Sequence, residues 1–388
     1  MARFDSRDET SILLEDSADE FLSHRFDPQR LRAQYQARSG YDRTFWAELA
    51  GQGWLALRLP EAMGGSELGI EHVAVLAHAL GRHAAPDPFV ACAVMPAVLA
   101  TAAGSADTSS WRRIAAGQVT GKAVSTVAWQ EGPFALDVGL PTTRAQRRQE
   151  GGFLLSGCKC QVVAGDWADI LLVSASLDGE AALFAVQRTA PGVHVEGRLT
   201  SDGGTIATIE FRDLELPPDA LLASGAPCLA SLQQAVDEAM LATAAQLLGL
   251  ADRAFEITLE YLRTRVQFGH PIGSFQALQH MAVDVRIGLA LAAAACGAAV
   301  RLQSGQPGST AARAAVAAAK ARTSDTALLA GRFGVQAHGA IGFAAEADIG
   351  CYLKSAIRLA AWLGNGTQQR LRVARITDAK AEHLKDGA

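Results

Sequence analysis

The run Arg265-Val-Gln-Phe-Gly-His-Pro-Ile-Gly-Ser-Phe-Gln276, which is followed by Ala-Leu-Gln-His280, itself joins one fixed positive charge and two side-chain amides, Gln267 and Gln276, across a tight turn. A guanidinium is a rigid fork of donors that meets phosphate oxygens two at a time, so the chemistry this run suits is retention of a phosphate-bearing cofactor. Gly269, Pro271 and Gly273 supply bends, and Phe268 and Phe275 can pack the turn down. The same residues also suit a plain corner between helices whose arginine pairs with a carboxylate. Alanine-rich segments of helical spacing flank the run on both sides, so on either reading two long helices hold it.

Those helices close a chain of three blocks. From Ser11 to Gly117 the apolar spacing is helical, with turn signals at Pro60, Gly64-Gly65, Pro86 and Gly104, which predicts a helical domain over residues 1–120. From Lys122 to Leu222 short apolar runs with punctuation take over: Phe153 to Gly157, Ile170 to Ser174, Ala182 to Val186 and Ile206 to Phe211. They predict a β domain over residues 121–224. Beyond Pro217-Pro218 and Gly225-Ala-Pro227, three or four long helices fill residues 225–388, with breaks at Gly269 to Gly273 and at Gln306-Pro-Gly308.

The 388 residues, 49% hydrophobic and 19% charged, describe a globular protein, and a net charge of −5 gives no electrostatic reason to expect nucleic acid or anionic membrane as a partner. The acidic start, MARFDSRDETSILLEDS, lacks an apolar stretch of signal-peptide length, so a cytoplasmic address is expected. Arg286, Arg301, Arg313 and Lys320 interrupt the apolar runs near Ala293 and Ala315, which therefore read as bundle helices rather than membrane spans. The six cysteines show no metal-ligand spacing and are expected as reduced thiols; Cys158 and Cys160 fall on one face of a strand.

The run from Arg265 to Gln276 resembles the R-x-x-F-G-x-P-I-x-x-F-Q motif of the acyl-CoA dehydrogenase family, flavoproteins that desaturate acyl thioesters. The similarity extends from the tract between Phe45 and Gly65 to Ile376. Gln336-Ala-His-Gly-Ala-Ile-Gly-Phe343, followed by Glu346, Asp348 and Tyr352-Leu-Lys354, resembles the subgroup that shortens steroid side chains. The resemblance implies an α+β fold: an N-terminal helical domain, a middle antiparallel β domain and a C-terminal four-helix bundle that builds a homo- or heterotetramer. It also implies FAD as cofactor, an acyl-CoA substrate, and an electron-transfer flavoprotein or similar acceptor. By the same resemblance Arg265 and Gln276 contact the FAD of a neighbouring subunit, and Gln336, Gly339, Thr367 and Gln368 match further cofactor-binding positions.

Desaturation needs a base to take the α-proton while the flavin takes a hydride from the β-carbon. The family carries that base as a carboxylate in the tract that here reads Trp362-Leu-Gly-Asn-Gly-Thr-Gln368, and Asn365 stands in its place. An amide cannot act as that base. A second base position known in the family falls on Ala239; Glu238, one residue away, is either a relocated base or a solvent-facing or salt-bridged glutamate. Met240 stands where many members carry an arginine for the CoA moiety. The flavin-loop tract reads Val127-Ala-Trp-Gln-Glu-Gly-Pro133, with Gln130 or a backbone amide in place of a hydroxyl. In Lys159-Cys-Gln-Val-Val163, Gln161 replaces the indole that packs on the flavin and Val163 replaces a hydroxyl; Trp167 lies six positions further on. Ala340 replaces the second glycine of the Gln-x-x-Gly-Gly signature. His280 and His338 fall on positions that are structural in relatives, while Lys354, Arg358 and Arg370 read as anion-binding or surface charges.

Three functions fit this pattern. The expected one is FAD-dependent α,β-desaturation of an acyl-CoA thioester. The substitutions at Asn365, Gln130, Gln161, Val163 and Ala340 together fit a non-catalytic or half-site subunit paired with a homologous chain. A flavin-dependent monooxygenase on the same fold would need no α-proton base and so would tolerate Asn365.

Overall fold

The computed structural model describes residues 8–26, 28–37, 40–102, 109–132 and 136–386; Gly104 and Pro133 lie outside them. Helices α1 (Glu9–Arg25), α2 (Pro28–Ala37), α3 (Arg43–Gly51), α4 (Ile70–Arg82), α5 (Met95–Ala102) and α6 (Ser109–Val119) come first. Strands β1 (Ser125–Ala128), β2 (Arg144–Arg147), β3 (Phe153–Val163), β4 (Ile170–Leu177), β5 (Glu180–Gln187), β6 (Val193–Leu199), β7 (Thr205–Leu216) and β8 (Leu221–Ser224) follow. Helix α7 (Ala226–Thr264), the hairpin of β9 (Val266–Gln267) and β10 (His270–Pro271), then α8 (Gln276–Gly305), α9 (Thr310–His338), α10 (Ile349–Ala361) and α11 (Gly366–Asp386) complete the order. Helical, sheet and helical blocks thus succeed one another as the resemblance implied.

Two compact units emerge. The first comprises described residues of Met1–Arg38, Ile70–Pro86 and Met240–Ala388, and the second those of Ser39–Gly69 and Asp87–Ala239. In the first, α4 and α7 pack backbone against backbone. A Cβ on Gly81 would stand 2.0 Å from the Gln246 carbonyl oxygen, and one on Gly249 would stand 2.1 Å from that of His78, so only glycine permits the approach. The buried His78–Asp252 contact, 3.2 Å, spans the same two helices. Helix α9 is capped by the Ser309 hydroxyl on the Ala312 N–H, and it packs against α8, α10 and α11.

Helix α8 is, among the described residues, the one long and apolar enough to cross a membrane by length and composition, with a mean hydropathy of 1.7 over its best window. Only 33% of that window is buried, and Val283, Ile287 and Leu291, four residues apart, are each about half exposed. They form one apolar row along the helix.

The second unit holds an eight-stranded sheet in the order β6-β7-β3-β2-β4-β5-β8, with β1 also on β4. Phe153, Leu155, Phe184 and Phe211 anchor its core, and the rings of Phe153 and Phe184 meet edge-on at 5.1 Å. The expectation of an antiparallel domain needs correction, because β1 and β2 both run parallel to β4 and the sheet is mixed. Each has four residues, and they take successive stretches of one edge of β4, β1 on Ile170–Val173 and β2 on Ser176–Leu177. The excursion between them, residues 129–143, is the segment that carries Gln130 and Glu131.

Candidate functional site

In the first unit the cofactor-type motif forms a rigid spur. Phe268 and Gly269 have φ of 53° and 80°, so the two-residue connection between β9 and β10 has positive φ at both central positions, as a type I′ turn requires. The Ile272 N–H donates to the Arg265 carbonyl at 2.8 Å and closes its base. Arg265 is exposed, and its side chain has no hydrogen-bond or ion-pair partner among the described residues. Gln276 opens α8, also exposed. Phe275 packs edge-on against Phe268 at 6.1 Å, yet Phe268 remains 89% exposed at the tip.

Gln336 is exposed near the end of α9, which Gly339 terminates with φ 64° and ψ −140°, a conformation open to glycine. A Cβ there would meet nothing within 4 Å, so this backbone stays open to close approach. Ala340 follows, exposed. His338 stacks on Tyr261 at 4.1 Å, and its Nδ1 lies 2.7 Å from the Gly334 carbonyl oxygen; both contacts hold α9 rather than serve chemistry. His280 is an exposed residue of α8.

The tract expected to carry the base starts α11. The Asn365 side-chain oxygen accepts from the Gln368 N–H at 3.0 Å, and the Gln368 side-chain oxygen accepts from the Asn365 N–H at 2.9 Å. This is a reciprocal capping box, which satisfies donors that a helix start leaves unpaired. The Gln368 oxygen is therefore used within the chain, while Thr367 is exposed beside it. Arg370 pairs with Asp325 at 2.5 Å, and a Cβ on Gly366 would meet the same Asp325 carboxylate at 2.4 Å. The sulfur of Met240 accepts from Gln369 Nε2 at 3.4 Å and from Arg372 Nη1 at 3.5 Å, so a buried guanidinium from α11 reaches the position where the resemblance implied an arginine. Beneath the turn, Lys320 is wholly buried; burial pushes its ammonium pKa down to about 7.

The second unit locks its excursion by one ion pair. Lys159 Nζ, fully buried, donates to Glu131 Oε1 at 2.6 Å and to Ser174 Oγ at 3.1 Å. Glu131 also accepts from the N–H groups of Thr142 and Thr143 at 2.6 and 2.8 Å. Burial works to raise the carboxyl, but the hydrogen bonds from Lys159, Thr143 and Thr142 carry it down to about 2. Burial lowers Lys159 to about 8 despite its partner. The Gln130 carbonyl accepts from Cys160 N–H at 2.8 Å, and Gln161 sits in a bulge of β3 with φ 55°. Val163 is buried, its carbonyl taken by the Thr126 hydroxyl. Trp167 packs on Tyr41 and Trp46 at 5.7 and 5.8 Å with the Arg43 guanidinium over its ring.

Glu238 lies in this unit and is 2% exposed. Arg58 grips both its oxygens, Nε to Oε2 at 3.0 Å and Nη2 to Oε1 at 3.1 Å, and Gln234 donates to Oε1 at 2.9 Å. A carboxylate so held matches the salt-bridged alternative and gives the relocated-base reading little room. Neither Arg58 nor the Lys159–Glu131 lock was singled out from sequence. The visible signal for Lys159 and Lys320 was a lone lysine within apolar surroundings.

The donor set of the first unit fits a dinucleotide: a free guanidinium on a rigid turn, an open glycine backbone and a capped helix start beside a threonine. The second unit offers the β-sheet loop but no indole at Gln161. Helical and sheet blocks in this order, with such a turn, are the arrangement that the resemblance to a flavoprotein family implied. The acyl-CoA dehydrogenase N-terminal domain matches over residues 8–108 and the C-terminal domain over residues 229–377. FadE27, an acyl-CoA dehydrogenase of Mycobacterium tuberculosis, is 33% identical over 66% of each chain, just under two thirds. The Tcur3481–Tcur3483 steroid ACAD structure is 30% identical with a TM-score of 0.83, covering 96% of this chain and 99% of that one. The ChsE4–ChsE5 complex of Mycobacterium tuberculosis is 26% identical with a TM-score of 0.82, covering 95% and 97%. The chain belongs to the acyl-CoA dehydrogenase family. This membership, and the likeness to steroid ACAD structures, agree with the resemblance that the motifs carried.

Proposed function

We propose that this chain is the flavin-gripping half of a two-chain acyl-CoA dehydrogenase whose homologous partner supplies the α-proton base. The observation that carries it is Asn365, a neutral amide in the base position whose oxygen already caps α11. Arg58 and Gln234 likewise hold Glu238, the carboxylate one residue from the family's second base position. Arg265 and Gln276 would hold FAD across a subunit boundary, with Gln336, Gly339, Thr367 and Gln368 on its adenine-dinucleotide portion. Bound FAD would supply the hydride acceptor for α,β-desaturation.

An assembly is supported by apolar surface on the first unit: the row Val283, Ile287 and Leu291 on α8, and Phe268 at the spur tip. A tetramer, a cytoplasmic address, an electron-transfer flavoprotein as acceptor and domains at 1–120, 121–224 and 225–388 belong to the same proposal. The two-chain names of the ChsE4–ChsE5 and Tcur3481–Tcur3483 structures favour a mixed assembly, and the second, a steroid ACAD, favours a bulky polycyclic acyl-CoA as substrate.

Co-expression with an adjacent homologous chain tests it. A mixed tetramer that carries yellow flavin and desaturates acyl-CoA with a dye acceptor, beside an isolated chain that is inactive, is the expected result. A homotetramer with one FAD per chain and full turnover would sink the proposal.

A further inference from the structure

Lys320 is a charged residue in a place where its charge is costly. Its side chain is 0% exposed, and no carboxylate pairs with it among the described residues. Its three donors go to Ser324 Oγ at 3.2 Å, to the Ala360 carbonyl at 3.3 Å and to the Gly364 carbonyl at 3.1 Å. An ammonium has three N–H donors, so all are used. A buried charge without a counter-charge is unfavourable, and an apolar residue of similar length would fill the space without that cost. Core packing alone therefore gives no reason for a lysine here.

The acceptors give one. Ala360 lies in the last turn of α10, where carbonyls lack partners within the helix and the helix dipole favours a cation. Gly364 lies in the turn that leads to α11, where Leu363 and Gly364 both hold positive φ, 57° and 91°. Positive φ is ordinary for Gly364 but unfavourable for Leu363, a state that something must fix. The Leu363 carbonyl is held by Gln369 Nε2 and the Gly364 carbonyl by Lys320, so the turn is fastened from both sides. The next residues are Asn365, Gly366 and Thr367.

We propose that Lys320 is a positioning residue: through the Ala360 and Gly364 carbonyls its ammonium fixes the turn that sets Asn365, Gly366 and Thr367 toward cofactor and thioester. The inference rests on the flavin reading only for what the turn meets. The fixing of the turn is a property of this chain alone.

Hydrogen exchange on the purified full-length chain tests it, read on peptides across residues 360–369 beside thermal unfolding. In Lys320→Met, exchange in that segment should rise by about ten- to a hundredfold, the range for loss of a hydrogen bond to a charged group, while peptides of β3 keep their rates. Lys320→Gln, neutral but with two donors on a shorter arm, should fall between. In whichever preparation holds flavin, alone or with its partner, FAD affinity should weaken in the same order. Unchanged exchange across 360–369 in the folded variants would overturn the proposal. A global loss of structure in both would overturn it equally, since Lys320 would then be a general core residue. A wild-type chain that binds no FAD by itself would bear on the division of labour between subunits and leave the exchange result decisive.

Discussion

Asn365 and Gln368 cap α11 reciprocally, each side-chain oxygen on the other's backbone N–H, at 3.0 and 2.9 Å. The position where the resemblance implies a base is here a structural cap, and the two roles make different demands. Asn365→Ala should cost about 0.5–2 kcal/mol, as loss of an N-cap does, visible as a lower denaturation midpoint. Asn365→Asp keeps the capping oxygen and adds a charge that the helix dipole favours, so stability should stay within about 0.5 kcal/mol of the parent. If a preparation of this chain alone binds FAD and acyl-CoA, Asn365→Asp should also raise dye-linked dehydrogenation. A fully active parent slowed by both Asn365→Asp and Asn365→Glu would show that the base lies elsewhere or that the reaction differs.

Arg265 stands on a turn whose backbone needs nothing from its side chain. Arg265→Ala should therefore leave thermal unfolding unchanged and weaken FAD retention by roughly ten- to a hundredfold, the value of a charge-assisted hydrogen bond of about 1.5–3 kcal/mol. Equal flavin content in variant and parent after identical dilution would remove Arg265 from the cofactor site.

Glu238 separates base from scaffold. Glu238→Gln removes the carboxylate charge from a buried bidentate pair, so it should lose about 3–5 kcal/mol of stability. Any drop in activity should then track the fraction unfolded. A variant as stable as the parent but inactive would restore Glu238 as a base.

What could be read from the chain was local. The spur at Arg265 announced itself because glycine and proline must punctuate a turn, and β3, β4, β5 and β7 because buried strands are apolar. Strands β2 (Arg-Ala-Gln-Arg) and β6 were missed because they are largely exposed, so no apolar pattern marks them. The parallel pairing of β1 and β2 with β4 depends on an excursion that returns to the same edge, which periodicity cannot encode. The site's polar locks were hidden for the same reason: Lys159 meets Glu131 across 28 residues and Arg58 meets Glu238 across 180. Glu238 was readable as a carboxylate near the alternative base position, but only the fold brings it an arginine.

The Lys159–Glu131 lock gives stability a definite pH profile. Lys159 titrates near 8 when folded against 10.5 when free, so between those values the unfolded chain binds a proton that the folded chain does not. Stability must then rise with pH through that window, by up to about 1.4 kcal/mol per pH unit for each such proton. Glu131, lowered to about 2 from 4.5, acts on the acid side: its contribution is complete above 4.5 and is lost as pH falls toward 2. Lys159→Met should flatten the alkaline rise. Glu131→Gln leaves the buried ammonium with Ser174 and the more distant Trp129 carbonyl, and should cost about 3–5 kcal/mol near neutral pH. It should also begin the alkaline rise at lower pH, because the remaining neighbours stabilise the charge less. Urea unfolding at intervals from about pH 6 to about pH 10 resolves these slopes. Identical profiles in the parent and Lys159→Met would mean that the ammonium is not the group whose burial the fold opposes.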